Sequence, residues 1–533
     1  MAEKGVSAAS LVRSAGPVTI AVFLSRLLGL VREQVIAWLF GAGMATDAFV
    51  VAFRIPNLLR DLFAEGALSS AFVTVFTEYE TRRSREDAAR LVNNVFTCLV
   101  VVVSVIMFIG MAFSGELVRL LAPDFVLIPG KLELTTHLAV IMFPFLLLVS
   151  IAALFMGILN TRRHFFIPAL SSSFFNLGSI AVGVIFAYLL PKWGIPAIFG
   201  MAIGTLAGGL AQLVIQIPLF LRENLSIRPL IDLKDPGLRR IARLIIPAIV
   251  GLSAVQINIF VNTNFASRCA EGSVAWLSYA FRLMQFPIGL FGVAFSIVTL
   301  PAVSRLAALR DIDALGHTLV SSLIMAFALT VPAAIGLWIL AGPIIRLIFE
   351  HGRFTAFDTI MTAEALRYYA IGLIAYSAVK IVVPVFYALN DTRWPVIVSF
   401  TTVLLNIVTI SMTIDRLAHK AIALSTSITV TLNFILLAMI LYKKMGHYPV
   451  GRLFSGLGRI CLAGAVMGVL LLFMESYYRP SNNPIILTFQ ITGYVAAGTA
   501  IYAVMLFVLR LPEFREVSAA IRRRLCAGRD SFF

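Results

Sequence analysis

Five arginines stand inside stretches that otherwise read as membrane-spanning: Arg26 and Arg32 in 17–40, Arg54 and Arg60 in 46–77, and Arg282 in 274–303. An arginine at a bilayer centre costs on the order of 2.5–3.5 kcal/mol on insertion scales. A single one near a helix end escapes that cost by snorkelling. Five, with four crowded into the first two apolar runs, imply a water-filled cationic interior and an anionic cargo. Guanidinium suits a phosphate, because its planar fork donates paired hydrogen bonds and stays protonated. Carboxylates stand close by. On 3.6-residue geometry Asp47, Arg54, Asn57, Asp61 and Glu65 fall on one helix face, with Pro56 disturbing the phase. Asp47, Asp61 and Glu65 read either as counter-charges that hold the arginines when cargo is absent or as members of a structural salt-bridge network. Arg26 and Arg32 point apart on a straight helix, so a shared cavity needs a bend, which Gly29 permits, or a lining on two sides.

The elements that must position these residues follow from composition. Of 533 residues, 60% are hydrophobic and 13% charged, and the mean hydropathy is +0.94. That excludes an ordinary soluble globule and places the chain among polytopic membrane proteins. A span needs roughly 20 apolar residues, and fourteen candidates are found, from 17–40 to 485–509. The first lacks a cleavage site and is expected to stay as an anchor. With the N-terminus inside, 27 Lys and Arg fall in inward segments, 9 in outward loops and seven within spans. This is a strong positive-inside signal, and it puts both termini in the cytoplasm.

The chain repeats itself at an offset of about 230 residues. Ala52-Phe53-Arg54 recurs as Ala280-Phe281-Arg282, and Leu117-Val118-Arg119-Leu120 resembles Ile344-Ile345-Arg346-Leu347. Asn160-Thr161-Arg162 with Asn176 matches Asn390-Asp391-Thr392-Arg393 with Asn406, allowing a one-residue shift. The expected architecture is all-α: fourteen transmembrane helices, with two six-helix lobes related by a pseudo-two-fold axis along the membrane normal. The lobes are 1–222 and, with a cytoplasmic linker, 223–450. A C-terminal helix pair (451–510) and a basic cytoplasmic tail (511–533) follow. The pair carries small residues suited to close packing, such as Gly464, Gly468 and Gly498; its role is either assembly or a groove for a long hydrocarbon tail. Pro56 and Pro287 interrupt two of the three arginine-bearing spans on paper, and such breaks cluster at transporter substrate sites and hinges.

Other chemistries lack their residues. The sequence holds no G-x-x-x-x-G-K-[ST] loop for ATP, and its six histidines are dispersed. No acid, base or metal-ligand cluster suggests an enzyme, so no catalytic residue, cofactor or metal is expected. Cys98, Cys269, Cys461 and Cys526 are scattered without paired spacing. The net charge of +16 sits where topology and anionic membrane lipids want it, not in a nucleic-acid-binding pattern.

Ser25-Arg26-Leu27-Leu28-Gly29-Leu30-Val31-Arg32-Glu33, Gly41-Ala42-Gly43-Met44-Ala45-Thr46-Asp47-Ala48-Phe49, Pro56-Asn57-Leu58-Leu59-Arg60 and Phe63-Ala64-Glu65-Gly66-Ala67 closely resemble the MurJ (MviN) family. These are the bacterial lipid II flippases of the multidrug/oligosaccharidyl-lipid/polysaccharide exporter superfamily. Phe354-Thr355-Ala356-Phe357-Asp358 and Tyr387-Ala388-Leu389-Asn390-Asp391-Thr392-Arg393 continue the likeness. The resemblance implies a non-enzymatic flippase of the bacterial inner membrane. Its cargo would be lipid II, undecaprenyl pyrophosphate bearing a disaccharide–pentapeptide, moved to the outer leaflet by alternating access. The family's functional residues carry over onto Arg26, Arg32, Asp47, Arg60 and Arg282, with Arg54, Asn57 and Glu65 in the same motifs. The arginines would clasp the pyrophosphate and the last two spans cradle the tail. Where the family often has an acidic residue three positions after Arg282, this chain has Gln285. Other cell-wall synthesis proteins are the expected neighbours, and the coupling ion is left open. The alternatives are another exporter of the superfamily, for a lipid-linked oligosaccharide or a drug, and a structural scaffold of the cell-wall machinery.

Overall fold

In lipid a single chain segment satisfies its own backbone only as a helix, and helices are what these apolar runs form. A computed structural model of the chain describes residues 8–62, 68–223, 227–446, 448–478 and 483–513. Glu65 and the tail from 514 onward lie outside the described residues. Every regular element among the described residues is helical. The chain packs as two compact units, Met1–Ala275 and Trp276–Phe533.

The first unit begins with α1 (Ala8–Phe40), α2 (Met44–Arg60), α3 (Ser69–Arg82) and α4 (Arg85–Ala112). The short α5 (Ser114–Leu121) precedes α6 (Lys131–Met142), α7 (Phe145–Thr161), α8 (Phe166–Leu189), α9 (Ile198–Val214), α10 (Ile217–Arg222) and α11 (Pro236–Ser267). Next comes α12 (Ser273–Pro287), most of which lies in the second unit, followed by α13 (Val293–Ala308), α14 (Ile312–Ile339) and the short α15 (Ala341–Phe349). The remaining helices are α16 (Ala356–Ala388), α17 (Arg393–Leu417), α18 (His419–Met445), α19 (Val450–Ser476) and α20 (Pro484–Val508).

Eleven helical segments among the described residues are long and apolar enough to cross a membrane. The other three expected spans, the first, second and eighth, are those that carry the arginines. The second is split between α2 and α3, and the eighth by a π-helical turn, Ile288–Gly292, between α12 and α13. Pro56 lies inside α2, and that helix runs on to Arg60, whereas α12 ends at Pro287. No bend breaks α1 into two helices, since it is assigned as one 33-residue helix.

Local signals fix the helix ends. Ser84, Asp235 and Asp311 accept the backbone N–H of Asp87, Leu238 and Ala314 and so cap α4, α11 and α14. A capping box of Thr355 and Asp358 starts α16. The repeat is visible at the ends of α7 and α16. Arg163 and Asn390 both adopt positive φ, 66° and 55°. Around them His164 N–H reaches Leu159 O at 2.9 Å and Asp391 N–H reaches Phe386 O at 2.9 Å, the same helix-terminating motif. The structural equivalence is therefore 227 residues here, close to the other repeats; the two connections are of equal length, so Asn160-Thr161-Arg162 and Asn390-Asp391-Thr392-Arg393 do not occupy equivalent positions.

Glycine spacing makes the tightest packing. Gly200, Gly204 and Gly208 of α9 each lie against α8, where a Cβ would meet Ala187 N, Ser179 O and Phe175 O at 2.3, 2.5 and 2.5 Å. This close approach anchors α8, whose Asn176 Nδ2 in turn donates to Ser25 O of α1 at 3.1 Å. In the second unit Gly464 of α19 packs on Val331 and Ile335 of α14, and Gly498 of α20 on Leu471 of α19.

Candidate functional site

The four arginines of the first unit occupy different environments. Arg32 pairs with Glu33 at 3.0 Å, and both side chains are nearly buried. Its guanidinium also lies 5.3 Å from the Phe175 ring centroid and 5.9 Å from that of Phe53, within cation–π range. Phe145 bridges those two rings at 5.5 and 5.4 Å. The sequence motif contained Glu33, yet its role as partner was not foreseen; adjacent helix positions do not normally face one another. Arg26, one turn and a half earlier on α1, is half-buried.

At the C-terminal end of α2, Arg60 holds Asp61 through Nε at 3.2 Å and a second nitrogen at 2.9 Å. Asn57 Nδ2 and, from α11, Gln256 Nε2 each reach the other Asp61 oxygen at 3.5 Å. The pair remains open, with 22% and 26% of its two side chains exposed. Arg54 and Asn57 are half-buried on the same helix. Gln256 is a site residue missed in the sequence, where a single amide in an apolar span gave no spacing signal.

Asp47, at the N-terminal end of α2, is sealed. Its Oδ2 accepts from Lys131 Nζ at 2.9 Å and Gly272 N at 2.8 Å, and its Oδ1 from Ala275 N at 2.9 Å. Lys131 and Asp47 are each 1% exposed. The cap is reciprocal, since Glu271 Oε1 accepts from Met44 N, the first residue of α2, at 2.7 Å. The cation Asp47 meets is thus a lysine from α6, not an arginine, and the expected stripe from Asp47 to Asp61 divides into a closed end and an open end. Nothing in the local sequence of Lys131 or Glu271 marks burial.

In the second unit Arg282 and Gln285 are both exposed on α12, one turn apart. Trp276 Nε1, near the start of that helix, donates to Asp358 Oδ1 at 2.9 Å. No group of three or more His, Cys, Asp or Glu positioned to hold a metal ion occurs among the described residues.

Comparison with known proteins decides the family. The model of the lipid II flippase MurJ family matches residues 36–492. The chain belongs to this family. The probable lipid II flippase MurJ of Buchnera aphidicola subsp. Acyrthosiphon pisum is 36% identical over 506 residues, covering 93% of this chain and 97% of its own. The corresponding Vibrio cholerae protein is 35% identical, covering 96% and 98%. The lipid II flippase MurJ of Burkholderia cenocepacia is 34% identical, covering 80% and 83%. Among solved structures, a lipid II flippase MurJ in an inward closed conformation superimposes with a TM-score of 0.76 at 26% identity, covering 92% of this chain and 99% of that one. An inward-facing multidrug MATE transporter of the MOP superfamily, at 15% identity and a TM-score of 0.68 over 79% of this chain, shares the fold alone.

Proposed function

We propose that this chain translocates lipid II from the inner to the outer leaflet of the bacterial cytoplasmic membrane, with its pyrophosphate held by Arg26, Arg32, Arg54, Arg60 and Arg282. The observation that carries the site is the open Arg60–Asp61 pair beside Arg54 and Asn57. An ion pair about a quarter exposed at the end of α2 can exchange its carboxylate for a phosphate without stranding a buried charge. Asp61 serves as the counter-charge in the empty state, and Gln256 and Asn57 hold it. Arg32, with Glu33 beside it, sits deeper and contributes field more than direct contact. Glu65 remains assigned to the same motif by resemblance.

Membership of the family supports transport without catalysis, by alternating access of two lobes, with both termini in the cytoplasm. The driving force follows from charge. A unit charge crossing 100 mV is worth about 2.3 kcal/mol, so roughly two pyrophosphate charges moving to the positive side gain on the order of 5 kcal/mol. If the arginines neutralise the cargo, the same gain appears when the empty cationic site resets. With Gln285 in place of an acidic residue, no proton or ion step is assigned to that position. The last two spans are assigned to the lipid tail, and neighbouring cell-wall synthesis proteins are the natural recipients.

The test is outward display of lipid II in cells depleted of their own flippase and expressing this chain. Restored display that collapses with the membrane potential is the expected result. A folded, membrane-inserted chain that restores no display overturns the reading.

A further inference from the structure

Lys131 is the least expected charge in the molecule. It is the first residue of α6, where the helix dipole disfavours a cation, and its side chain is 2% exposed. A buried ammonium needs a partner. Asp47 supplies one, with the Phe125 ring centroid 4.2 Å from Nζ on the other side. The geometry of the carboxylate shows what the lysine does in return. Oδ2 is shared between Lys131 Nζ and Gly272 N, which leaves Oδ1 directed at Ala275 N. Those two N–H groups belong to the start of α12, and Ser273 between them is fully buried. The lysine therefore both neutralises Asp47 and selects the orientation in which it caps the helix.

We propose that Lys131 is a positioning residue for transport: its sealed ammonium holds the Asp47 carboxylate as the cap of α12, the helix that carries Arg282. The consequence for transport rests on the flippase reading above; the capping role does not. In this state the cap fixes where α12 begins, and a helix that begins in one place presents Arg282 at one depth. An ion pair that served only to fill the interior would work equally well with its charges exchanged. A cap would not, because a lysine at position 47 has no acceptor for Gly272 and Ala275.

The exchange is the experiment. In the full chain with Cys98, Cys269, Cys461 and Cys526 changed to serine, Ser273→Cys reports opening of the cap through its rate of maleimide labelling, independently of any cargo. Lys131→Met is expected to raise that rate by about fivefold or more and to cut lipid II display to about a tenth or less. The exchanged pair D47K/K131D is expected to recover thermal stability while labelling stays fast and display stays low. Recovery of protection at residue 273 by the exchanged pair overturns the proposal. If the exchanged pair does not fold, D47N/K131M, which leaves no buried charge, replaces it. Labelling faster than wild type supports the cap, and wild-type protection overturns the proposal. A wild-type chain that displays no lipid II while these labelling differences persist sinks the flippase reading alone.

Discussion

The two ends of α2 carry the same kinds of residue and are built in opposite ways. At the N-terminal end Asp47 meets a cation and two backbone N–H groups and is closed to solvent. At the C-terminal end Asp61 meets a cation and two amides at longer range, and about a quarter of its side chain stays open. Charge in an apolar chain is thus of two sorts. The sealed pair cannot exchange partners without leaving an ion buried, so it fixes geometry. The open pair loses little when a partner changes, so it is the end suited to a ligand.

Stability should divide the two ends first. Lys131→Met removes one partner of a buried pair, a change that costs about 3–5 kcal/mol, and D47N/K131M should regain most of it. Unfolding in detergent micelles measures both, and a loss below about 1 kcal/mol would make the Asp47–Lys131 pair no different from a surface one. Arg60→Ala should show the reverse pattern. Its stability cost is expected to stay within about 1 kcal/mol, while lipid II display falls about tenfold or more, in proportion to a lost charge-assisted contact. Equal losses of stability at both ends would erase the contrast. Gln256→Leu tests the fringe of the open end: it removes a neutral hydrogen bond and should reduce display only a few-fold, about two to ten.

A smaller comparison lies at the C-terminal ends of α7 and α16. After α7, Arg162 and His164 hold Glu223 at 3.2 and 2.7 Å, and Arg162 also holds Glu80 at 2.8 Å. After α16, Asp391 is held by Lys444. The clasp is the same and its polarity is inverted. His164, then Arg162, pull the Glu223 carboxyl below its usual range, and Lys444 does so for Asp391. A carboxylate with a lowered folded pKa stabilises the protein above its unfolded pKa, near 4, and that contribution is lost as pH falls through the lowered value. Between about pH 7 and 5 both carboxylates stay ionised, so their own protonation contributes no change in unfolding temperature there. That temperature should drop below about pH 4 by less in Glu223→Gln than in the parent. Identical acid sensitivity of the two would remove Glu223 from the clasp.

Much of this was legible in the sequence. Hydropathy located the helices, since lipid leaves the backbone no other choice, and the three expected spans outside the apolar set were those the arginines singled out. Pro56 and Pro287 marked the spans that break, but α2 continues through Pro56 to Arg60, because one lost donor does not outweigh the packing on either side. The site was half legible. Asn57 reaches Asp61 as their spacing suggested, whereas Arg60, which was not on that stripe, pairs with Asp61 as its immediate neighbour. Asp47 does not share their face in use, because its partners come from residues 131, 271, 272 and 275, and local periodicity carries no information about such distant contacts. Gly200, Gly204 and Gly208, which set the closest helix approach in the first unit, were passed over because composition signals apolarity there and not contact.

The most direct measurement is lipid II affinity of the purified full chain in nanodiscs, taken for wild type, R60A and D47K/K131D alongside their flipping rates. The account predicts that R60A weakens binding about tenfold, whereas the exchanged pair, which misplaces Arg282 alone, loses less affinity than R60A and fails to flip. Unchanged affinity in R60A, or a loss in the exchanged pair as large as that in R60A while its fold is intact, would contradict the division between an open end that binds and a sealed end that positions.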